Sequence, residues 1–133
     1  MYLARDQRLH GRGIVVEAAN HPVTPEADKL LAAIGKVESD HGRYGGSVLG
    51  TDGFPRPAIR GVALNGVGPV AAIPDSDNGR FDGDKVWDRA VGPMQFIPTT
   101  WAFSGRDGDR DGVRNPNDID DAALAAAHYL CPD

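Results

Sequence analysis

The feature that most constrains this chain is an apolar run, residues 30–37, that ends in one carboxylate, Glu38. Leu30, Ile34 and Val37 recur at helical spacing, which predicts an amphipathic helix. Leu31, Ile34 and Glu38 share a neighbouring face, so the helix that buries its leucines also directs this carboxylate towards the interior. Apolar neighbours and the C-terminal end of the helix dipole would both raise its pKa, which suits a general acid. The alternative is a helix-end acid that faces water.

The sequence also places the ends of this helix. Thr24 offers a side-chain N-cap and Pro25 suits the first helical position, while Gly42 is a plausible stop. A helix is therefore expected from about Pro25 to Ser39. We expect residues 1–24 to form an irregular N-terminal segment and residues 25–133 to form one domain, because 133 residues are too few for two cores.

The composition describes a globular protein and excludes some partners. The net charge is −5, from 14 basic and 19 acidic side chains. Binding to phosphate backbones needs clustered Lys and Arg, so no nucleic-acid partner is expected. No apolar stretch is long enough to span a bilayer, and the first residues lack the apolar middle of a signal peptide. The one cysteine, Cys131, allows no internal disulfide and has no partner at metal-ligand spacing.

A long segment without helical periodicity, residues 47–85, follows the first helix and is rich in Gly, Pro, Asp and Asn. So long a loop in a small domain is usually functional. Residues 57–64 and 70–73 are short apolar stretches that could form strands or extended edges of a cleft. The Asp-rich stretches 75–79 and 82–84 fit no complete metal-binding loop, and turns explain them better.

Residues 89–101 combine Gly and Pro with Met, Gln and aromatic side chains. Their pattern predicts a short helix, a break at proline and a second helix capped by Thr99. Aromatic faces, an amide and exposed glycine backbone would suit the floor of a saccharide site. The alternative is an ordinary core of Met, Phe, Ile and Trp.

Residues 107–118 have the spacing of an EF-hand-type calcium loop. Oxygen-bearing side chains stand at the first, third, fifth, ninth and twelfth positions, and the sixth is Gly, which permits the sharp turn. The seventh residue would offer its backbone carbonyl. A structural Ca2+ is therefore expected, with Asp118 in place of the usual Glu at the twelfth position; the alternative is an acidic turn that binds nothing. The expected ligands are Asp107, Asp109, Asp111, Val113 and Asp118. The acids at 118–121 are expected to open an Ala-rich helix, residues 122–130, where they lie at the positive end of its dipole.

Four segments, residues 34–39, 89–101, 107–118 and 121–127, together resemble the lytic murein transglycosylase B family, especially its actinobacterial members. They occur in that family's order and, taken together, are more specific than any one of them. The resemblance implies a mainly α, lysozyme-like transglycosylase domain with a long irregular loop and one calcium loop. Its expected partner is the glycan strand of peptidoglycan in the cell envelope or outside the cell, and a monomer is expected.

The resemblance also implies a mechanism with one carboxyl group, Glu38, as acid and base. In such enzymes the carboxyl protonates the glycosidic oxygen and then, as carboxylate, removes the proton from the muramic C6 hydroxyl, which closes a 1,6-anhydro ring. The absence of an obvious second acid is consistent with this arrangement. The residues expected to bind substrate are Ser39, Tyr44, Met94, Gln95 and Phe96.

Two alternatives to the enzyme remain open at the level of the sequence. The family's domain continues past the Tyr-Leu-Cys step into another helix, whereas this chain stops at Asp133. A domain shortened there could be an inactive fragment or a non-catalytic, calcium-stabilised module that binds cell-wall glycan. A calcium-dependent interaction module of the dockerin type ranks last, because such modules usually duplicate the loop and only one complete copy is present.

Overall fold

The computed structural model describes residues 25–130, with side chains from residue 29 onward. It contains three helices, α1 (Pro25–Ser39), α2 (Pro98–Ser104) and α3 (Ile119–Leu130). A short 3-10 turn, Tyr44–Gly46, follows α1, and an antiparallel pair of two-residue strands, β1 (Val48–Leu49) and β2 (Pro55–Arg56), comes next. Thr24, the irregular segment 1–24 and Cys131 lie outside the described residues.

The bounds predicted for the first helix are confirmed, but the buried stripe is shifted round its axis. Leu31 and Ile34 are each 1% exposed, whereas Leu30 and Val37 are 38% and 48% exposed. Of the two neighbouring faces predicted, the one with Leu31 and Ile34 is therefore the buried one, and the one with Leu30 and Val37 is not. Ala32 and Ala33 also lie inside, so their small side chains allow close packing of α1, which contacts α3. Leu31 and Ile34 share one core with Phe96, Trp101 and the alanines of α3.

Residues 57–97 run as extended chain and turns. Isolated bridges join Arg60 to Val91 and Ala72 to Asn65, so the two apolar stretches, residues 57–64 and 70–73, are extended chain and not regular strands. The helix predicted to begin at Arg89 is wrong, because Val91 pairs with both Arg60 and Phe96 across bridges. These pairings satisfy the backbone through distant segments, which local periodicity does not reveal.

The two later helices lie close to their predicted positions. α2 begins at Pro98, with Ile97 and not Thr99 as the residue that precedes the first turn, and its N-cap makes no side-chain hydrogen bond. Proline at the first helical position fits because its missing N–H would have no partner there. α3 ends at Leu130, and its acidic first turn, Asp120 and Asp121, was expected from the helix dipole. No helix within residues 25–130 has both the length and the apolar content needed to cross a membrane.

Candidate active site and acidic loop

The end of α1 is joined to the turn at residues 92–95 by one buried hydroxyl. Ser39 Oγ donates to the carbonyl oxygen of Pro93 at 2.5 Å and accepts from the amide of Gly42 at 2.9 Å. Ser39 is 1% exposed, so both bonds are shielded from water. Glu38, the preceding residue, is half-buried, which agrees with a carboxylate at the border of the core. The serine thus fixes the carboxylate-bearing step of α1 relative to the second sequence motif.

Gln95 closes the turn with which Ser39 is engaged. Its backbone has a φ of 52°, and both its amide N–H and its side-chain Nε2 donate to the carbonyl of Gly92, at 3.1 and 3.0 Å. Its Oε1 faces Gly61, where an added Cβ would lie 3.1 Å from it. The amide is therefore held in one orientation and is 8% exposed, which leaves little of it available to a ligand in this conformation.

The other residues expected to bind substrate divide into a buried pair and an exposed tyrosine. Met94 and Phe96 are both 0% exposed, and the Phe96 ring meets Trp101 edge-on with centroids 5.0 Å apart. These two side chains therefore belong to the core, which is the alternative stated above for residues 89–101, because a side chain without exposed surface does not line a cleft. Tyr44 is 67% exposed on the turn after α1 and is free to meet a ligand. Its role as a binding residue stays a prediction.

Four carboxylates cluster at residues 107–118, which we call the acidic loop. Three of them belong to the loop and were predicted from its spacing, and the fourth, Asp121, belongs to α3. Ligand oxygens of Asp107, Asp109, Asp111 and Asp121 all lie within 4.8 Å of one another. The backbone turns around them: Gly112 donates to Asp107 at 2.8 Å and Val113 donates to Asp111 at 2.8 Å. The side chain of Val113 is exposed, and the role of its carbonyl stays a prediction.

Asp121 is the member that sequence reasoning missed. It was assigned to the dipole of α3, yet it is 1% exposed and accepts from Gly108 at 2.6 Å and from Asn115 at 3.0 Å. It therefore ties both ends of the loop to α3. Burial raises its pKa, partly offset by those two amides. The signal in the sequence was an acid three residues beyond the twelfth loop position, which the 12-residue template does not include.

Asp118 lies in a neighbouring group with Asp109 and Asp120, and not in the group of four. Its Oδ1 accepts from the Asp120 amide at 2.9 Å, which makes it a cap for α3. Burial raises the pKa of Asp118 to about 7, and the nearby carboxylates of Asp121 and Asp109 add to the rise. Each group contains one buried carboxylate, Asp121 in the group of four and Asp118 in its neighbour, and the other carboxylates are exposed or half-buried. Clustered carboxylate oxygens are the donor type that a hard cation such as Ca2+ prefers.

A third acidic group, Asp75, Asp77 and Asp82, lies in the long loop. Its carboxylates serve the backbone: Asp77 accepts from Gly79 and Phe81, and Asp82 accepts from Asp84 and Arg89. These are the side-chain-to-backbone bonds of Asx-type turns. The turn interpretation of this stretch is therefore confirmed.

A comparison with models of known protein families finds a match to the segment that contains the turn at residues 92–95 and the acidic loop. Residues 76–132 match the family model described as the Transglycosylase SLT domain. The matched segment is a little under half of the chain and includes Gln95, the acidic loop and α3, whereas Glu38 lies before it. No curated protein and no solved structure matches the chain. The match supports the lytic transglycosylase superfamily without distinguishing a family within it.

Proposed function

We propose that this protein is a peptidoglycan lytic transglycosylase of the family B type, with Glu38 as its single acid and base. The match over residues 76–132 supports the class of reaction. The observation that carries Glu38 is the Ser39–Pro93 hydrogen bond, because it holds the carboxylate-bearing end of α1 against the turn inside the matched segment. The substrate places the protein in the cell envelope or outside the cell.

The proposed reaction cleaves the β-1,4 bond between N-acetylmuramic acid and N-acetylglucosamine. Protonated Glu38 donates its proton to the glycosidic oxygen as the bond breaks, and the substrate's N-acetyl group stabilises the oxocarbenium-like charge. The resulting carboxylate then removes the proton from the C6 hydroxyl, whose oxygen attacks C1 and closes the 1,6-anhydro ring. The proton that leaves Glu38 is thereby restored, and water is not consumed.

Mass spectrometry of soluble products from purified peptidoglycan tests this function. Wild type is expected to release anhydro-muropeptides, whereas Glu38→Gln, which keeps the shape of the side chain but cannot give or take the proton, is expected to release none. Glu26→Gln makes the same change near the other end of α1 and should behave as wild type. Product from Glu38→Gln would refute the assignment of Glu38. Glycan binding by wild type without product would favour the non-catalytic module.

We further propose that the acidic loop binds a structural Ca2+ through Asp107, Asp109 and Asp111, the carbonyl of Val113, and Asp121 from α3. The four clustered carboxylates support this ligand set. Asp118, the ligand expected at the twelfth position, is proposed to influence the ion indirectly, through the group that it forms with Asp109 and Asp120. The ion would supply only charge compensation, which holds the loop to the start of α3.

Calcium titration followed by thermal melting tests the ion site. Calcium is expected to raise the melting temperature, because a ligand that binds only the native state stabilises it. Asp111→Ala should abolish most of the rise, because it removes one of the proposed ligand oxygens, whereas Asn at this position could still bind the ion. Among the described residues the Asp111 side chain accepts one hydrogen bond, from the Val113 amide, so the fold should tolerate the change. Asp52→Asn, which removes an exposed acid beside Arg56, should retain the full rise. An equal rise in both variants would contradict the site.

A further inference from the structure

A cleft of about 620 Å³ opens beside the acidic loop. Three segments form it: the turn at residues 76–81, α2 with the glycine that follows it, and residues 112–114 of the acidic loop. Glu38 and Gln95 are not among its lining residues. The side chains on which the argument depends are Arg80, Phe81, Trp101 and Arg114.

The cleft is cationic in a protein whose net charge is −5. Arg80 and Arg114 both line it, and within residues 29–130 neither guanidinium forms a salt bridge to a carboxylate. The acid in the lining, Asp77, already accepts amide hydrogen bonds from Gly79 and Phe81 at 3.1 and 3.0 Å. A guanidinium that lacks a carboxylate partner is well suited to bind the carboxylate of a ligand, to which it can donate two parallel hydrogen bonds.

The walls add apolar surface to the two charges. The guanidinium of Arg80 lies 4.7 Å from the centroid of the Phe81 ring, a cation–π contact that limits its motion. Trp101, 4% exposed, forms the base of the cleft. Among the residues with described side chains, Arg114 makes one long contact, 3.5 Å, to the carbonyl of Gly105. The cleft thus offers cations above an aromatic floor, which suits a ligand with both carboxylate and aliphatic parts.

The position of the cleft connects it to the proposed reaction site. α2 begins at Pro98, three residues after Gln95, and an extended chain of three residues spans at most about 10 Å. A branch that leaves the glycan beside the turn could therefore reach the cleft. Peptidoglycan carries such branches, short peptides whose side chains and ends bear free carboxylates, whereas the acetylated sugars of the strand itself have none beyond the lactyl group that the peptide occupies.

We propose that this cleft binds the carboxylate-bearing peptide stem of peptidoglycan, with Arg80 and Arg114 as its anion-binding residues; the inference rests on the proposed function. Binding there would orient the strand and favour stem-bearing over bare glycan. The double variant Arg80→Ala/Arg114→Ala removes both guanidiniums. Arg56→Ala removes an exposed guanidinium on β2 and serves as the matched control.

The first measurement is direct binding of a free acidic stem tripeptide, followed by NMR at the indole N–H of Trp101. Wild type and Arg56→Ala should respond equally, and the double variant should bind roughly ten-fold more weakly, the change expected for loss of a charge-assisted pair. Arg80→Lys/Arg114→Lys should recover part of the affinity. Absence of tripeptide binding to wild type, or equal affinity in all variants, would overturn the proposal even if the protein cleaves glycan.

The second measurement compares turnover of intact peptidoglycan with that of glycan stripped of its stems. The double variant should raise KM only on the stem-bearing substrate, and its rate on bare glycan should equal that of wild type. An equal effect on both substrates would indicate that the arginines contact the sugar strand, and would refute the stem. Absence of turnover by wild type, with tripeptide binding intact, would instead refute the proposed function and leave the cleft assignment standing.

Discussion

Replacement of Ser39 by alanine is the most informative structural perturbation, because this one hydroxyl joins α1 to the turn that carries Gln95. In the native structure Ser39 Oγ donates to the Pro93 carbonyl and accepts from the Gly42 amide. Alanine fits the space but leaves a buried C=O and a buried N–H without that partner. We therefore expect a loss of stability and a greater loss of activity.

The magnitude follows from the number of groups left unsatisfied. A buried donor or acceptor that loses its partner costs about 1 to 3 kcal/mol, so two such groups cost about 2 to 4 kcal/mol when some relaxation is allowed. For a domain of this size the melting temperature should fall by roughly 10 to 20 °C. If the turn shifts by about 1 Å relative to Glu38, the rate of the folded fraction should fall by about 100-fold.

Ser47 supplies the matched control. It is also buried, at 5% exposed, but within the described part of the chain its hydroxyl makes one hydrogen bond, which it donates to the carbonyl of Pro57 at 2.6 Å. Ser47→Ala should cost about half as much, near 1 to 2 kcal/mol. Chemical denaturation gives both free energies of unfolding, and product release is measured well below either midpoint. Equal stability loss in the two variants, or full activity in Ser39→Ala, would refute the reasoning.

Three further predictions concern backbone approach, pH and the loop. Gly92→Ala should unfold or strongly destabilise the domain, because its Cβ would lie 2.0 Å from the Pro116 carbonyl oxygen. Gly112 has a similar positive φ but no neighbour within 4 Å, so Gly112→Ala should lower the free energy of unfolding, measured by denaturation, by only about 1 kcal/mol. Amide hydrogen bonds and Arg89 lower the pKa of Asp84 from 3.8 to about 2. The ionised carboxylate therefore stabilises the folded state fully above pH 4, and this contribution is lost as the pH falls towards 2. Asp84→Asn should make the melting temperature less dependent on pH across that interval. Asp121→Asn should speed exchange of the Gly108 amide in calcium-free protein, which hydrogen-exchange NMR would detect, and unchanged exchange would contradict its role as a tie.

The elements that the sequence predicted are those with local causes. α1 and the end of α3 follow from apolar spacing, a proline at the first turn and acids near the dipole. The three acids of the loop follow from a spacing imposed by one turn of backbone. What failed depends on distant partners: residues 89–97 have a helical composition, yet Val91 pairs with Arg60 and Phe96. Tertiary pairing overrode local preference there.

The same distinction applies to individual site residues. Glu38 was singled out because it ends an apolar run, and its catalytic role stays a prediction. The burial of Met94 and Phe96 depends on α1 and α3, which a linear motif does not show. Asp121 looked like a dipole residue because its two amide partners lie 13 and 6 residues earlier in the chain. A carboxylate that satisfies distant amides has no periodic signature.

The contacts of the site form one continuous path from α1 to the acidic loop. Ser39 binds the carbonyl of Pro93, and the neighbouring Gly92 approaches Pro116 so closely that no side chain fits between them. Pro116 lies within the loop whose ends Asp121 ties to α3. If the proposed function holds, a ligand that binds this loop would therefore restrict the turn to which Ser39, the neighbour of Glu38, is hydrogen-bonded, without touching substrate. A structural cation would then affect turnover through the position of the turn, which is why its loss should reduce kcat before it unfolds the domain.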